Sequence, residues 1–140
     1  MQQCYADHAV FNDPVFVNLN ANETKAMWEM FCTRGKDLQI VFSAIDTGPL
    51  NVSAQWVATY TFSKTNKKVV NTIHAQFVFE NELIVSHTDD FNFYRWASQA
   101  LGWPGILFGW TPFMKKKIRG NAIRNLRSFM KHTQQVLPIS

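Results

Sequence analysis

Three ionisable side chains of this 140-residue chain stand where they could move a proton. Asp13 lies in Val10-Phe11-Asn12-Asp13-Pro14-Val15-Phe16. Apolar neighbours on both sides would strip water from its carboxylate, disfavour the charged form and poise it as a general base. Asp before Pro also opens turns, so a turn-forming role stands beside the catalytic one. His87 and Asp89 are two apart on an expected strand, and so point to one face. On an inner face they could share a proton or orient each other; on an outer face they would be solvated polar groups. Asp90 falls on the opposite face. His74 and Gln76 are expected to face solvent or a partner subunit, and His8 and His132 to lie on the surface.

Other chemistries leave no trace. No three potential ligands show metal spacing, so no metal is expected. There is no Gly-rich phosphate loop, nucleophile elbow or dinucleotide fingerprint, and no cofactor is expected. Cys4 and Cys32 read as reduced thiols of a cytoplasmic protein. Met1 is followed by polar residues, unlike a secretory leader, and no apolar run approaches the ~20 residues of a membrane span.

The elements that must position these groups follow from periodicity. Asn22 is a suitable N-cap and Gly35 a suitable stop. Between them Met27, Met30, Phe31 and Arg34 recur at helical spacing, which predicts a helix over Glu23–Arg34. Alternating runs predict strands over Leu38–Ile45, Val52–Ser63, Val69–Glu80 and Leu83–Phe93. Trp56, Ala58 and Tyr60 share one face of the second run; Asn71, Ile73, Ala75 and Phe77 share one face of the third. The turns at Asp46–Pro49, around Asn66 and at Asn81-Glu82 make these strands an antiparallel meander. Thr111-Pro112 opens a last helix to Lys131, with Phe113, Ile118, Ala122, Leu126 and Phe129 on one face. The fold class is therefore α+β: a curled antiparallel sheet carrying helices on one side, with a core enclosed between them and a pocket in part of that space if the sheet curls strongly. Residues 1–96 make the sheet domain. Residues 97–140 add an apolar loop and a basic amphipathic helix that pack on the same domain.

Composition supports a pocket. The chain is 46% hydrophobic, and its 12 Phe and 5 Trp suit a large core or an apolar cavity. Trp28, Trp56, Tyr60, Asn71, Phe77 and Phe91 are the expected lining, and a small apolar molecule the expected partner. The net charge of +4 conceals an asymmetry. Residues 1–90 hold 6 Lys/Arg and 10 Asp/Glu, whereas residues 91–140 hold 8 Lys/Arg and no acid. The preferred reading of that basic tail is a solvated helix face; contact with an anionic membrane surface is the weaker one, and nucleic acid is not expected.

Two stretches resemble a known family. Tyr5-Ala6-Asp7-His8-Ala9-Val10-Phe11-Asn12-Asp13-Pro14-Val15 resembles the second-helix-to-strand segment of the nuclear transport factor 2-like (SnoaL-like) superfamily. Phe77 to Phe91 resembles its last hairpin. The likeness covers about residues 4–96 and places Met1 near the end of the second family helix. The family's first helix then has no counterpart, so either the true start lies upstream or another element covers that side. The apolar segment Leu101, Trp103, Ile106, Leu107, Phe108 and Trp110 is the expected cover, over the cone or against a dimer partner. The resemblance implies that residues 1–96 form a cone, a strongly curved antiparallel sheet wrapped around helices with an internal pocket, and that two copies pair through the sheet as a homodimer.

The resemblance also assigns roles. Asp13 falls where the ketosteroid isomerases keep their proton-shuttling aspartate. Their oxyanion-hole acid aligns with Ala75, which cannot donate, and their tyrosine sits on the missing helix. Asp89 falls where limonene epoxide hydrolases keep a catalytic aspartate, but the Arg and second Asp they need are absent from Trp56–Tyr60. Two readings result. One is an isomerase, cyclase or hydrolase using Asp13, His87 and Asp89 on an apolar carbonyl or epoxide. The other is a non-catalytic ligand-binding or protein-interaction module.

Overall fold

A computed structural model describes residues 2–35 and 37–136. Residues 137–140 of the expected tail, and Met1, lie outside the described residues. After a short 3-10 turn at Gln2–Cys4 come β1 (Tyr5–Asn12), α1 (Ala21–Arg34), β2 (Gln39–Thr47), β3 (Asn51–Phe62), β4 (Lys67–Glu80) and β5 (Leu83–Asp90). Three helices complete the chain: α2 (Phe93–Leu101), α3 (Trp103–Phe108) and α4 (Pro112–Val136). The sheet order is β1-β5-β4-β3-β2.

The four meander strands form where alternation predicted them. On β4 the inward set Val69, Asn71, Ile73 and Ala75 is buried, and its neighbours are exposed. Asn81 and Glu82 both take positive φ (49° and 65°), the primed two-residue turn whose twist matches that of the flanking strands. Bulges between Phe42 and Ala44 and between Val78 and Phe79 break the register and bend the sheet.

The amino-terminal segment departs from expectation. Tyr5–Asn12 is not the end of a helix but a strand that pairs parallel with β5, which makes the sheet mixed. Tyr5, Ala6, Ala9 and Phe11 are buried while Asp7, His8 and Val10 are exposed, with alternation from His8 onward, after an irregularity in the pairing. Burying one face, and giving the backbone a partner on β5, outweighs the modest helix preference of its alanines.

Helix α1 begins two residues before the expected start. Asn20, not Asn22, is the N-cap: its side chain accepts from Glu23 N–H, and Glu23 accepts from Asn20 N–H in return. That reciprocal box satisfies two otherwise orphaned donors. Gly35 ends the helix as predicted, its N–H donating to Phe31 O at 2.8 Å. A Cβ there would stand 2.7 Å from that oxygen.

The other departures lie after β5. The strand stops at Asp90, and α2 begins at Phe93, capped by Asn92 accepting from Arg95 N–H. Phe93, Trp96, Ala97 and Ala100 recur at helical spacing and are all buried, so α2 supplies the apolar cover over β4. The segment expected to cover the cone or a dimer partner is left largely uncovered within this chain. Within α3 only Gly105 is buried, and Trp103, Ile106, Leu107 and Phe108 remain at least half exposed. Gly105 lets α3 approach α2, because a Cβ would lie 2.1 Å from Ala97 O. Helix α4 starts at Pro112 with Thr111 Oγ1 accepting from Met114 N–H. It docks on α1 through Leu126, which is fully buried among Phe16, Met27 and Met30. Phe113 is not part of that face; it points into solvent.

Candidate functional site

Asp13 opens the loop between β1 and α1. The loop is pinned by an isolated bridge between Phe11 and Leu19 and by Asp13 N–H donating to Phe16 O. One carboxylate oxygen of Asp13, Oδ1, accepts from the N–H groups of Val15 (2.6 Å) and Phe16 (2.5 Å). The turn reading thus holds: the side chain closes the turn that follows it. Burial pushes its pKa up to about 6. The two backbone donors and the Arg119 charge oppose the rise, and the Asp89 charge adds to it. Oδ2 has no hydrogen-bond partner among the described residues and is free to take a proton.

Arg119 went unnoticed in the sequence because it sits in a basic run. Its Nε–H donates to Pro14 O at 2.8 Å, tying α4 to the Asp13 loop. The signal was positional: Arg119 lies one residue from Ile118, on the side of α4 that faces the core.

Tyr60 stands near Asp13. Burial raises the pKa of its phenol; the Trp96 hydrogen bond opposes this and the Asp13 charge adds to it. Trp96 Nε1–H donates to the Tyr60 oxygen at 2.8 Å. The Tyr60 hydroxyl proton has no acceptor among the described residues. It is therefore a phenol with an unused donor, buried within range of the Asp13 charge.

His87 and Asp89 meet as their spacing predicted. The pair lies on the inner face of β5, with His87 fully buried. Its Nε2 lies 2.7 Å from Asp89 Oδ1, and its Nδ1 lies 2.7 Å from the Tyr5 hydroxyl. Trp28 Nε1–H donates to that hydroxyl at 3.0 Å. One proton arrangement satisfies every bond with an ionised Asp89. Trp28 donates to Tyr5, Tyr5 donates to Nδ1, and Nε2–H donates to the carboxylate. A doubly protonated imidazole would turn Nδ1 into a donor and leave the Tyr5 proton without an acceptor. Burial and the Asp89 charge raise the Tyr5 pKa, although the Trp28 bond opposes this. Phe77 packs on the imidazole at 4.2 Å, and Phe11 and Trp28 close its other sides. Sealed in this way, His87 can reach a ligand only through its partners.

The remaining expected lining divides in two. Trp28, Trp56, Tyr60 and Phe77 face the interior and pack against other rings; Trp28 and Trp56 are 5.9 Å apart. Trp56 Nε1–H is buried without an acceptor among the described residues, an unspent donor in the interior. Asn71 and Phe91 border a hollow of about 420 Å³, shared with Thr72, His74, Asp90, Asn92 and Arg95. It opens where the chain leaves β5 for α2, past the last β4–β5 pair at His74 and Asp90. Among the described residues, no cluster of His, Cys, Asp and Glu could hold a metal ion. Both cysteines are free and exposed. No described helix is long and apolar enough to cross a membrane.

A mixed, curved sheet packed against helices, with the half-buried Asp13 in the loop after its first strand, defines an α+β cone of the nuclear transport factor 2-like class. The sequence profile of the SnoaL-like domain matches residues 1–87, and the chain belongs to that family. Several solved structures share the fold. One is a hypothetical protein with a ketosteroid isomerase-like fold from Catenulispora acidiphila DSM 44928, in complex with trimethylamine (TM-score 0.64, 12% identity, 79% of this chain and 84% of that one). Another is an LEH-like epoxide hydrolase of M. tuberculosis (TM-score 0.58, 14% identity, 76% and 77%). A third, from Jannaschia sp. CCS1, is proposed to be a SnoaL-like polyketide cyclase (TM-score 0.64, 9% identity, 74% and 77%). No curated protein matches the sequence significantly.

Proposed function

We propose that this protein takes a small apolar carbonyl or epoxide compound and performs cofactor-independent acid–base chemistry on it, as an isomerase, cyclase or hydrolase. The observation that carries the reading is Asp13. Its carboxylate is desolvated, raised to about 6, fixed through one oxygen and free at the other. A base with that pKa is largely ionised at neutral pH yet still binds a proton well. Tyr60 would donate to the oxygen on which charge develops, the task that ketosteroid isomerases give in part to an acid whose aligned position here is Ala75. Its hydroxyl proton is unused among the described residues, and it lies close enough for the Asp13 charge to raise its pKa. His87 and Asp89 act as positioning residues: the sealed imidazole fixes Asp89, whose charge helps raise Asp13.

The relatives support this range of chemistry without selecting within it. The test is a panel of enolisable ketones and epoxides, followed by deuterium exchange and by diol formation. Asp13→Asn should lower any turnover by roughly 10²–10⁴-fold, the usual contribution of a general base. An unchanged rate would remove Asp13 from the mechanism.

One observation favours a second reading, a non-catalytic binding module. The interior is filled by rings, and the hollow beside Asn71 and Phe91 lies apart from Asp13's turn. In that case Asp13→Asn changes affinity alone. Either reading accommodates a homodimer through the sheet, for which Val41, Phe42 and Ile45 on the edge strand β2 offer exposed apolar surface. A monomer in native mass spectrometry at micromolar concentration would exclude it.

A further inference from the structure

We propose that α3 and the outer stripe of α4 form a docking surface for an anionic lipid bilayer. Two adjoining features carry this. The first is an apolar tip: Trp103, Ile106, Leu107, Phe108, Trp110 and Phe113 are each at least half exposed, reaching 72% at Trp110 and 77% at Phe113. Indole and phenyl rings gathered so densely in water mark a binding surface, and Trp is a ring type suited to the headgroup level of a membrane. The second feature is a charge stripe. At 100° per residue, Phe113, Lys116, Lys117, Arg124, Arg127 and Lys131 fall within an arc of about 100° on α4. All six are exposed, and the row runs about 27 Å along the helix. The tip and the stripe meet at Phe113, which is exposed and belongs to both.

The basic groups that serve the fold lie elsewhere. Arg119 is held by Pro14 O, and Lys115 lies over the Phe93 ring. The stripe is what remains, and no Asp or Glu occurs anywhere in residues 91–140 to neutralise it. A helix with cationic residues along one face and bulky apolar side chains at one end matches the chemistry of an anionic bilayer. Phosphates attract the stripe, and the boundary of the acyl region takes the rings. A nucleic acid would satisfy the stripe but leave the tip in water. A neutral protein groove would satisfy the tip but leave the stripe unused.

The test is co-sedimentation of the full chain with vesicles of phosphatidylcholine alone and of phosphatidylcholine carrying about a third phosphatidylglycerol, with duplex DNA as a competitor. Binding is expected to the anionic vesicles only and to fall as salt is raised. Lys116→Gln with Lys117→Gln should weaken it roughly 25-fold, about five-fold for each charge. Trp110→Ser should weaken it without changing the salt dependence. Lys25→Gln, on α1, should leave it unchanged. Equal binding to both vesicles, binding to neither, or equal weakening by Lys25→Gln overturns the proposal. So does preferential capture by DNA, which would assign the stripe to nucleic acid phosphates.

Discussion

The hydroxyl of Tyr5 and Nδ1 of His87 lie 2.7 Å apart although 82 residues separate them in the chain. They meet because β1 runs parallel to β5, with Phe11 aligned to His87. This contact joins the amino-terminal strand to the buried acid–base pair, and it sets the first expectation. Tyr5→Phe keeps the ring but removes the oxygen. Trp28 Nε1–H and His87 Nδ1 then lose their shared partner inside the protein. A buried unpaired polar group costs about 1–3 kcal/mol, so a loss of roughly 2–4 kcal/mol is expected in urea denaturation. A variant as stable as the parent would mean that water replaces the hydroxyl.

Asp13 gives stability and activity opposite dependences on pH. Its folded pKa, about 6, exceeds the ordinary value of 3.8. The native state therefore binds the proton more tightly than the unfolded chain between those values. Stability falls through this group as pH rises from about 4 to about 6, and above that the full cost of the charge persists. Asn keeps an oxygen for the Val15 and Phe16 N–H groups without the charge. Asp13→Asn should therefore raise stability by about 1–3 kcal/mol at pH 7.5 and by little at pH 3.5. Any turnover of the parent should rise with pH around a midpoint near 6, measured as kcat/KM.

The α1–α4 contact rests on Leu126, which is fully buried among Phe16, Met27 and Met30. Leu126→Ala removes apolar burial and leaves a cavity, at a cost of about 2–5 kcal/mol. Because Arg119 on the same helix holds Pro14, the change should also alter the titration of Asp13. NMR of the Asp13 carboxyl carbon checks this. An unmoved midpoint would mean that the loop keeps its shape without the helix.

Gly120 lies within α4, and a Cβ built there meets nothing within 4 Å. Nothing in the packing requires glycine at this position. Gly120→Ala should stabilise the protein by about 0.5–1 kcal/mol through helix propensity and a less flexible unfolded chain. A thermal melt at neutral pH suffices to read it.

Trp56 carries a buried indole N–H with no acceptor among the described residues. Trp56→Phe removes that unpaired donor at the expense of some ring volume, and the two effects should cancel to within about 1 kcal/mol. If a ligand oxygen uses this donor, affinity falls much more than stability does. Calorimetry of binding beside a denaturation curve separates the two.

By itself the sequence determined the parts whose causes are local. Strict alternation fixed the inner faces of β3 and β4, because a period of two leaves no choice once one face is apolar. The same rule placed His87 and Asp89 side by side. Thr111-Pro112 and Gly35 marked helix ends through backbone chemistry that needs no distant partner. The Asn92 cap and the spacing of Phe93, Trp96, Ala97 and Ala100 were equally legible signs of α2, hidden only by continuing the strand too far. What tertiary structure alone decided were the relations between remote segments. Tyr5–Asn12 carries no strong strand signal and becomes a strand because β5 offers it hydrogen bonds and a face to bury. Tyr60 and Arg119 gain meaning only beside Asp13. Whether an apolar run is covered depends on which surface competes first for that place. Here α2 took the cover over β4, and the rings of α3 were left in solvent.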